Sequence, residues 1–149
     1  MEENYLISIK GRQNVDGQVG EVELTTLGSY VKRGPYRFIV YKEYMSENDT
    51  SQKTSILKIE GNSCLTLMRR GGDSTRLILE NGKRHLCQYD TDYGNLMIGI
   101  FTSHLDTTLD DAGGKLDVSY TLDINSSLSS TNELSITVKE AKNSDVKNG

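Results

Sequence analysis

Alternation of apolar and polar residues is the dominant pattern along this chain. From Leu116 to Ile124 every second residue is apolar, and the residues between them are polar. This period of two predicts a β-strand that buries one face. Leu134, Ile136 and Val138 repeat the pattern near the C-terminal end. The sequence therefore predicts two half-buried strands in this region.

A helix is the alternative for the second of these segments. Ser130 and Glu133 have the spacing of a capping box, which would start a helix just before Leu134. Ile136 would lie outside the apolar stripe of that helix, whereas it belongs to the apolar face of a strand. Alternation and β-branched residues therefore favour the strand.

Similar patterns predict eight more strands and no helix. These segments are Tyr5–Ile9, Val22–Tyr30, Tyr36–Met45, Ile56–Glu60, Cys64–Arg69, Arg76–Glu80, Leu86–Thr91 and Leu96–His104. Turn-forming residues lie between them, and the strongest turn is Asn81-Gly82, which predicts a type I′ hairpin. Residues 46–53 are expected to form a longer loop, and residues 141–149 a frayed tail.

The short connections indicate the fold. Strands joined by short turns pair antiparallel in sequence order, and closing them into a barrel leaves no open edge. We therefore expect an all-β protein, with residues 1–149 forming a single up-and-down antiparallel barrel of about 8–10 strands.

Composition and charge exclude several classes of protein. The chain has 149 residues, of which 35% are hydrophobic and 26% charged, as in one soluble globular domain. Its net charge of −4 disfavours nucleic-acid binding. Glu2 and Glu3 lie where a secretory signal would be positive, and the longest apolar run, Leu96–Phe101, is too short for a membrane span. We expect a cytoplasmic protein with neither a nucleic-acid nor a membrane partner.

The residues that usually carry chemistry form no recognised motif. Cys64 and Cys87 lack a CxxC spacing and are expected to be free thiols. His85 and His104, the two histidines, lie outside any HExxH pattern, and no GxSxG nucleophile motif occurs. The segment 90–94 resembles a calcium loop but lacks the distal Glu. We therefore expect no metal, no cofactor and no catalytic residue.

The order of several short motifs points to a known family. The chain reads YRFIVYKEYM, TSILKIEG, LTLMRRGG and QYDTDYGNLMIGIFT, followed by a long hairpin, KLDVSYTLDIN to LSITVKE. From about Ile7 to Glu140 it resembles the YwiB-like family of small bacterial calycin-like β-barrel proteins. The resemblance implies a lipocalin-like up-and-down barrel, located in the cytoplasm of a Gram-positive bacterium, without an assigned biochemical function. True lipocalins usually carry a tryptophan near the first strand and this chain has none, so a lipid-carrier function does not follow from barrel shape.

The family-like positions supply the candidate ligand-binding residues. They are Tyr41, Glu43, Arg69, Tyr89 and Thr102. Strand parity places Tyr41, Glu43, Arg69 and Thr102 on the same faces as the apolar residues of their own strands, so these faces would line the barrel together. Because an isolated buried charge is costly, we hypothesise that Glu43 and Arg69 pair near one mouth of the barrel. Such a pair is either a structural ion pair or the polar anchor of an apolar pocket.

These residues support three functions to different degrees. The best supported is non-catalytic binding of an unidentified small, partly apolar ligand inside the barrel. The alternative is a filled barrel that acts as a structural or protein-interaction module, with a homodimer as one form of it. An enzyme that uses Glu43 as acid or base and Arg69 to steer an anion would lack a nucleophile.

One strand bears on the alternative. Leu96, Ile98 and Ile100 are apolar on one face of the predicted eighth strand, and Met97 and Phe101 are apolar on the other. Apolar residues on both faces predict burial on both sides. We therefore expect a tail, a loop or another subunit to cover the outside of this strand.

Overall fold

A computed structural model describes residues 3–44, 52–70, 75–91 and 94–141, without the side chains of residues 44, 52 and 89–91. Ten strands make up almost all of it, in the number and order that alternation predicts. They are β1 (Tyr5–Val15), β2 (Gln18–Arg33), β3 (Tyr36–Tyr44), β4 (Gln52–Glu60), β5 (Cys64–Arg70), β6 (Thr75–Glu80), β7 (Arg84–Thr91), β8 (Gly94–Thr107), β9 (Gly113–Ile124) and β10 (Ser127–Glu140).

The strands follow one another around an up-and-down barrel. Each strand pairs antiparallel with the next one from β1 to β6, and again from β7 to β10. The first and last strands also pair along most of their length, from Tyr5 opposite Glu140 to Asn14 opposite Thr131. This ladder joins the two ends of the chain. The predicted all-β, up-and-down antiparallel barrel is therefore confirmed.

Some strands are longer than their apolar pattern. β10 starts at Ser127, well before the alternation at Leu134, because Thr131 pairs with Thr121 on one side and Asn14 on the other. Two ladders thus hold a polar segment extended, and the helical alternative at Ser130 is wrong. Of the predicted loop 46–53, the last two residues belong to β4, and 46–51 lie outside the described residues, as do 142–149 of the predicted tail.

The core lies inside the barrel, on the faces that alternation assigns to it. The most deeply buried apolar side chains come from seven different strands: Ile7, Ile39, Leu57, Leu65, Ile100, Leu116 and Ile136. Full burial of a side chain of this size stabilises the fold by about 1.5–3 kcal/mol before opposing terms are counted. Packing of these residues therefore fixes which face of each strand points inward.

The barrel wall has a seam between β6 and β7. No ladder joins these two strands among the described residues, although they are consecutive. The turn between them is closed by a bond from the N–H of Lys83 to the carbonyl of Glu80 (3.0 Å). It also bonds to the rest of the barrel: Asn81 donates its N–H to the carbonyl of Ser63 (2.8 Å), and Gly82 donates to that of Thr102 (2.7 Å). Only Gly82 of the two turn residues has a positive φ, 77°, whereas a type I′ turn requires both. The predicted type I′ hairpin is therefore wrong: a turn forms across Asn81-Gly82, but Asn81 lacks the positive φ of that type and no ladder follows the turn among the described residues.

Thr102, one of the predicted site residues, lies at this seam. Removing its hydroxyl is expected to stabilise the protein. The side chain is fully buried, and Oγ1 has no hydrogen-bond partner among the described residues. A buried unsatisfied polar group destabilises the folded state, and valine keeps the shape without the hydroxyl. We expect Thr102→Val to raise the free energy of unfolding in urea by about 1 kcal/mol.

The exposed Thr131 of β10 provides the control for that substitution. Thr131→Val should change stability by less than about 0.5 kcal/mol, as surface substitutions usually do. A clear loss of stability in Thr102→Val would show that the hydroxyl is hydrogen-bonded in solution.

The outer face of β8 differs from expectation. Met97 and Phe101 are 50% and 39% exposed, so no described strand or loop covers this side of β8, and cover by the tail or by another subunit stays a prediction. Gly99 lies between them, and above it Arg84 of β7 and Asp123 of β9 form an ion pair with Nη2 and Oδ1 2.6 Å apart. A side chain at position 99 would collide with this pair. A charged bridge thus occupies the centre of the face where apolar packing was expected.

Hydrogen bonds between loops and strands close one end of the barrel. The hydroxyl of Tyr30 donates to the carbonyl of Asp110 (2.6 Å), and Arg37 pairs with Asp111 (3.1 Å). At the same end, the backbone N–H of Thr107 donates to Oδ1 of Asn62 (2.7 Å). These bonds fix the connection after β8 against β2, β3 and the β4–β5 turn. An interior opening is therefore more easily formed at the other end.

Candidate functional site

The other end of the barrel opens where β2 and β3 separate. Their ladder runs from Arg33 opposite Tyr36 to Gly28 opposite Tyr41, and there it stops. β3 continues to Tyr44 and β2 extends back to Gln18, but these parts do not pair with each other among the described residues. We call this opening the β2–β3 split, with Leu24–Thr26 on one side and Lys42–Glu43 on the other.

A half-open cavity of about 660 Å³ lies at the β2–β3 split and extends to the inner faces of the strands. This volume is within the range of about 300–1,000 Å³ that is usual for small-molecule sites. The apolar part of its lining is Ile9, Val22, Leu24, Leu57, Leu67, Leu134 and Ile136, and polar or amphipathic groups come from Tyr41, Lys42, Glu43, Arg69 and Tyr120, with Glu23, Thr25 and Thr26. The cavity is therefore mainly apolar inside and polar at one end.

A row of inward polar side chains forms that end. Tyr41 of β3 lies directly opposite Ser55 of β4, and Ser55 lies opposite Arg69 of β5. Because residues in register on neighbouring strands share a face, all three belong to the inner surface. We call Tyr41, Ser55 and Arg69 the polar row. Three adjacent strands thus place a phenol, an alcohol and a guanidinium side by side.

Glu43 and Arg69 lie close together but are not tightly bonded. Oε2 of Glu43 is 4.0 Å from Nη2 of Arg69, which is longer than a hydrogen bond. Their side chains are 26% and 38% exposed, so water screens the attraction. A pair of this kind contributes about 0–1 kcal/mol to stability. Its stabilising role is therefore small, and the donor groups of Arg69 are not used up by Glu43.

Two orphaned polar atoms occur in the polar row. Nε of Arg69 and Oγ of Ser55 are buried and make no hydrogen bond of good geometry among the described residues, although both side chains lie near the Tyr41 hydroxyl. Buried polar groups in folded proteins are nearly always paired, so an unpaired one calls for a physical explanation. Together with Thr102 at the seam, they make up the orphaned side-chain atoms of the described chain. Two of the three therefore lie in one row beside one cavity.

The tyrosines of the cavity keep their protons. Burial raises the pKa of Tyr41 above its usual value, and the nearby Glu43 carboxylate raises it further, while Ser55 and Arg69 act in the opposite direction. Burial alone raises the pKa of Tyr120. Both phenols are consequently neutral at physiological pH. They can donate a hydrogen bond but do not act as bases.

The structure brings together three of the five candidate residues predicted from the sequence. Tyr41, Glu43 and Arg69 all line the cavity. Thr102 is instead buried at the seam and is not part of that lining. The backbone of Tyr89 pairs with Leu96 in the β7–β8 ladder, but its side chain lies outside the described residues.

Ser55 is a site residue that sequence reasoning missed. It lies two and four positions before Leu57 and Ile59, which are both inward, so parity alone would have placed it inside the barrel. Its position opposite Tyr41 and Arg69 depends on register, which the sequence pattern does not give. Tyr120, which belongs to the apolar face of the predicted ninth strand, also proves to line the cavity.

Other parts of the molecule offer weaker candidates. An outer depression of about 440 Å³ between β1, β2, β9 and β10 carries charges of both signs and none of the five candidate residues. Within the described ranges, no cluster of three His, Cys, Asp or Glu residues has the arrangement of a metal site. Cys64 and Cys87 are free thiols; Cys87 is buried, whereas Cys64 is only half-buried. A helix with the length and apolar character of a membrane span is absent from the described part of the chain.

Fold and cavity together define a ten-stranded, up-and-down antiparallel β-barrel with an internal cavity at one end. The chain belongs to the family described as "Domain of unknown function (DUF1934)", whose model matches residues 7–136. It is 24% identical over 123 residues to the "Uncharacterized beta-barrel protein YwiB" of Bacillus subtilis (strain 168), covering 82% of this chain and 83% of YwiB.

The crystal structure of YwiB from Bacillus subtilis has the same fold. It superposes with a TM-score of 0.80 at 18% sequence identity, covering 94% of this chain and 93% of that one. The predicted membership of a YwiB-like family is therefore confirmed, and so is the barrel fold. The family description and the name of the relative assign no biochemical activity.

Proposed function

We propose that this calycin-like barrel is a cytoplasmic, non-catalytic binding protein that holds one small, partly apolar ligand inside the barrel. The observation that carries the proposal is the cavity of about 660 Å³ at the β2–β3 split, with Tyr41, Glu43 and Arg69 at its polar end. Small-molecule sites combine an apolar lining with a few convergent polar groups in this way.

The polar groups favour binding over catalysis. Tyr41 is neutral because burial raises its pKa. Glu43 and Arg69 lie 4.0 Å apart, and the described cavity lining includes no cysteine or histidine. The hydroxyl of Ser55 beside it has no hydrogen-bonded base to activate it as a nucleophile. These groups orient a ligand without a route to covalent chemistry.

A protein-interaction module is the second candidate, and one observation favours it. Leu86, Met97 and Phe101 surround Gly99 on the outer face of β7 and β8, and all three are exposed. Adjacent exposed apolar side chains of this size are typical of interaction surfaces. A second copy of the chain, forming a homodimer, is the partner that this candidate proposes.

Native mass spectrometry of freshly purified protein tests both candidates, because it reports retained small molecules and subunit number together. We expect a monomer with a bound ligand of low mass. Leu67→Trp should lose that ligand, because Leu67 lines the cavity and the larger ring would fill it. Leu86→Trp is the matched control, since Leu86 is exposed on the outer face.

The outcomes separate the two candidates. Loss of the ligand in Leu67→Trp but not in Leu86→Trp supports binding inside the barrel. A dimer without ligand that dissociates in Leu86→Trp would contradict it and support the interaction module. Circular dichroism of each variant checks that the barrel is still folded.

A further inference from the structure

We infer that the ligand carries a single carboxylate, which binds to Arg69 and the other groups of the polar row, and an aliphatic part that fills the cavity. This inference rests on the proposed function, because it specifies the chemistry of the ligand that the cavity would hold. It follows from hydrogen-bonding groups that the folded chain leaves unused.

The guanidinium of Arg69 has hydrogen-bond donors that the described residues do not pair. Its Nε is buried without a partner among the described residues, and its Nη2 is 4.0 Å from Glu43, too far for a hydrogen bond. A guanidinium presents five N–H donors in a planar fork that matches the two oxygens of a carboxylate. An acceptor placed in the cavity would satisfy a donor that otherwise stays unpaired.

Ser55 points to the same conclusion independently. It is fully buried and lies in register between Tyr41 and Arg69. Its hydroxyl lies close enough to Tyr41 to lower the pKa of that phenol, but it makes no hydrogen bond of good geometry among the described residues. Tyr41 is a neutral phenol able to donate as well. A guanidinium, an alcohol and a phenol in one row suit a ligand group that has several acceptor oxygens.

The surrounding charges limit the ligand to one negative charge. Glu43 lies beside Arg69, and Glu23 lines the outer part of the cavity. Lys42 at the β2–β3 split is the other positive charge of the described lining. A doubly charged phosphate would meet two carboxylates here, whereas a carboxylate meets less repulsion. The apolar lining, from Ile9 to Leu67 and Ile136, favours an apolar remainder of the ligand, which we take to be aliphatic.

Titration calorimetry with decanoate, decan-1-ol and decylamine tests this inference, because the three probes share a tail and differ in charge. We expect decanoate to bind about tenfold to a hundredfold more tightly than decan-1-ol, as a charge-assisted hydrogen bond would give. Arg69→Gln should abolish that preference, because it weakens the binding of decanoate much more than that of decan-1-ol. Arg70→Gln, at an exposed neighbouring position on the other face of β5, should retain it.

Two further variants separate an effect on binding from an effect on folding. Ser55→Ala should lower the affinity for decanoate more than that for decan-1-ol, without lowering the melting temperature. Glu43→Gln should raise the affinity for decanoate and lower that for decylamine, because it removes a negative charge beside Arg69. If the ion pair were merely structural, neither substitution would change the affinity for decanoate or decylamine relative to that for decan-1-ol.

Each result has a distinct meaning. Equal affinities for decanoate and decan-1-ol would overturn the inference that the ligand carries a carboxylate, but would not contradict the proposed function. Tighter binding of decylamine would also overturn it, with Glu43 as the anchor instead. Failure of all three probes to bind to folded protein would overturn both the carboxylate and the apolar cavity as a binding site.

Discussion

Gly28→Ala is expected to lower the free energy of unfolding by about 3 kcal/mol, at the upper end of the usual cost of overpacking. Gly28 forms the last pair of the β2–β3 ladder, opposite Tyr41. A Cβ there would lie 2.5 Å from the carbonyl oxygen of Val40 and would also collide with the side chain of Ile7. A backbone oxygen in a ladder cannot move unless the strand moves with it.

Two other glycines provide graded controls for that substitution. In the same strand, a Cβ at Gly20 would meet nothing within 4 Å, so Gly20→Ala should leave stability within about 0.5 kcal/mol of the wild type. At Gly11 of β1 the nearest atom would be Cγ2 of Val22, at 3.0 Å. Val22 is exposed and can turn away, so Gly11→Ala should have an intermediate effect.

Urea unfolding, followed by circular dichroism, measures the stability of all three glycine variants. Circular dichroism is used because the chain has no tryptophan whose fluorescence would report unfolding. An equal stability for Gly28→Ala and Gly20→Ala would contradict the close approach of β2 and β3. The close approach of β2 and β3 also positions Tyr41 at the start of the cavity. Gly28→Ala should therefore also weaken the binding of a ligand in the cavity.

Local patterns were sufficient to predict the strands and the barrel. In β9 the alternation from Leu116 to Ile124 directly reflects which side chains point inward, because a strand has a side-chain period of two. Short turns then left sequential pairing as the simplest topology. Neither step requires knowledge of distant contacts, which explains why both succeeded.

Interruptions in the barrel wall could not be predicted in the same way. Asn81-Gly82 has the composition of a tight hairpin and does form a turn, yet its N–H groups bond to Ser63 and Thr102 and no β6–β7 ladder follows among the described residues. Similarly, Val22 and Leu24 continue the alternation of β2 although β3 no longer pairs there. Both features depend on residues far away in sequence, whose positions only the folded barrel defines.

The candidate site was accessible to sequence reasoning only in part. Parity placed Tyr41, Glu43 and Arg69 on inward faces, and the structure finds all three around one cavity. Parity does not give the register between strands, so it did not bring Ser55 next to Arg69. It also placed Thr102 on an inward face without revealing that this part of the face lies at the seam.

Leu116→Ala is expected to destabilise the protein by about 4 kcal/mol, and Leu57→Ala by about 2 kcal/mol, although both leucines are almost completely buried, at 0% and 1% exposure. The same atoms are removed in each case, so the loss of transfer free energy is matched. The difference comes from the void left behind, which costs about 24 cal/mol per Å³ when it is sealed.

Leu116 is not part of the cavity lining, so its truncation opens a new void in packed core. Leu57 lines the existing cavity, so the space opened by its truncation joins the opening at the β2–β3 split and is not sealed. Urea unfolding measures the free energy of unfolding of both variants. The two values can be compared directly when the dependence on urea concentration has the same slope in both. Equal losses would mean that the interior around Leu57 is as tightly filled in solution as that around Leu116, and a ligand would then have to bind elsewhere.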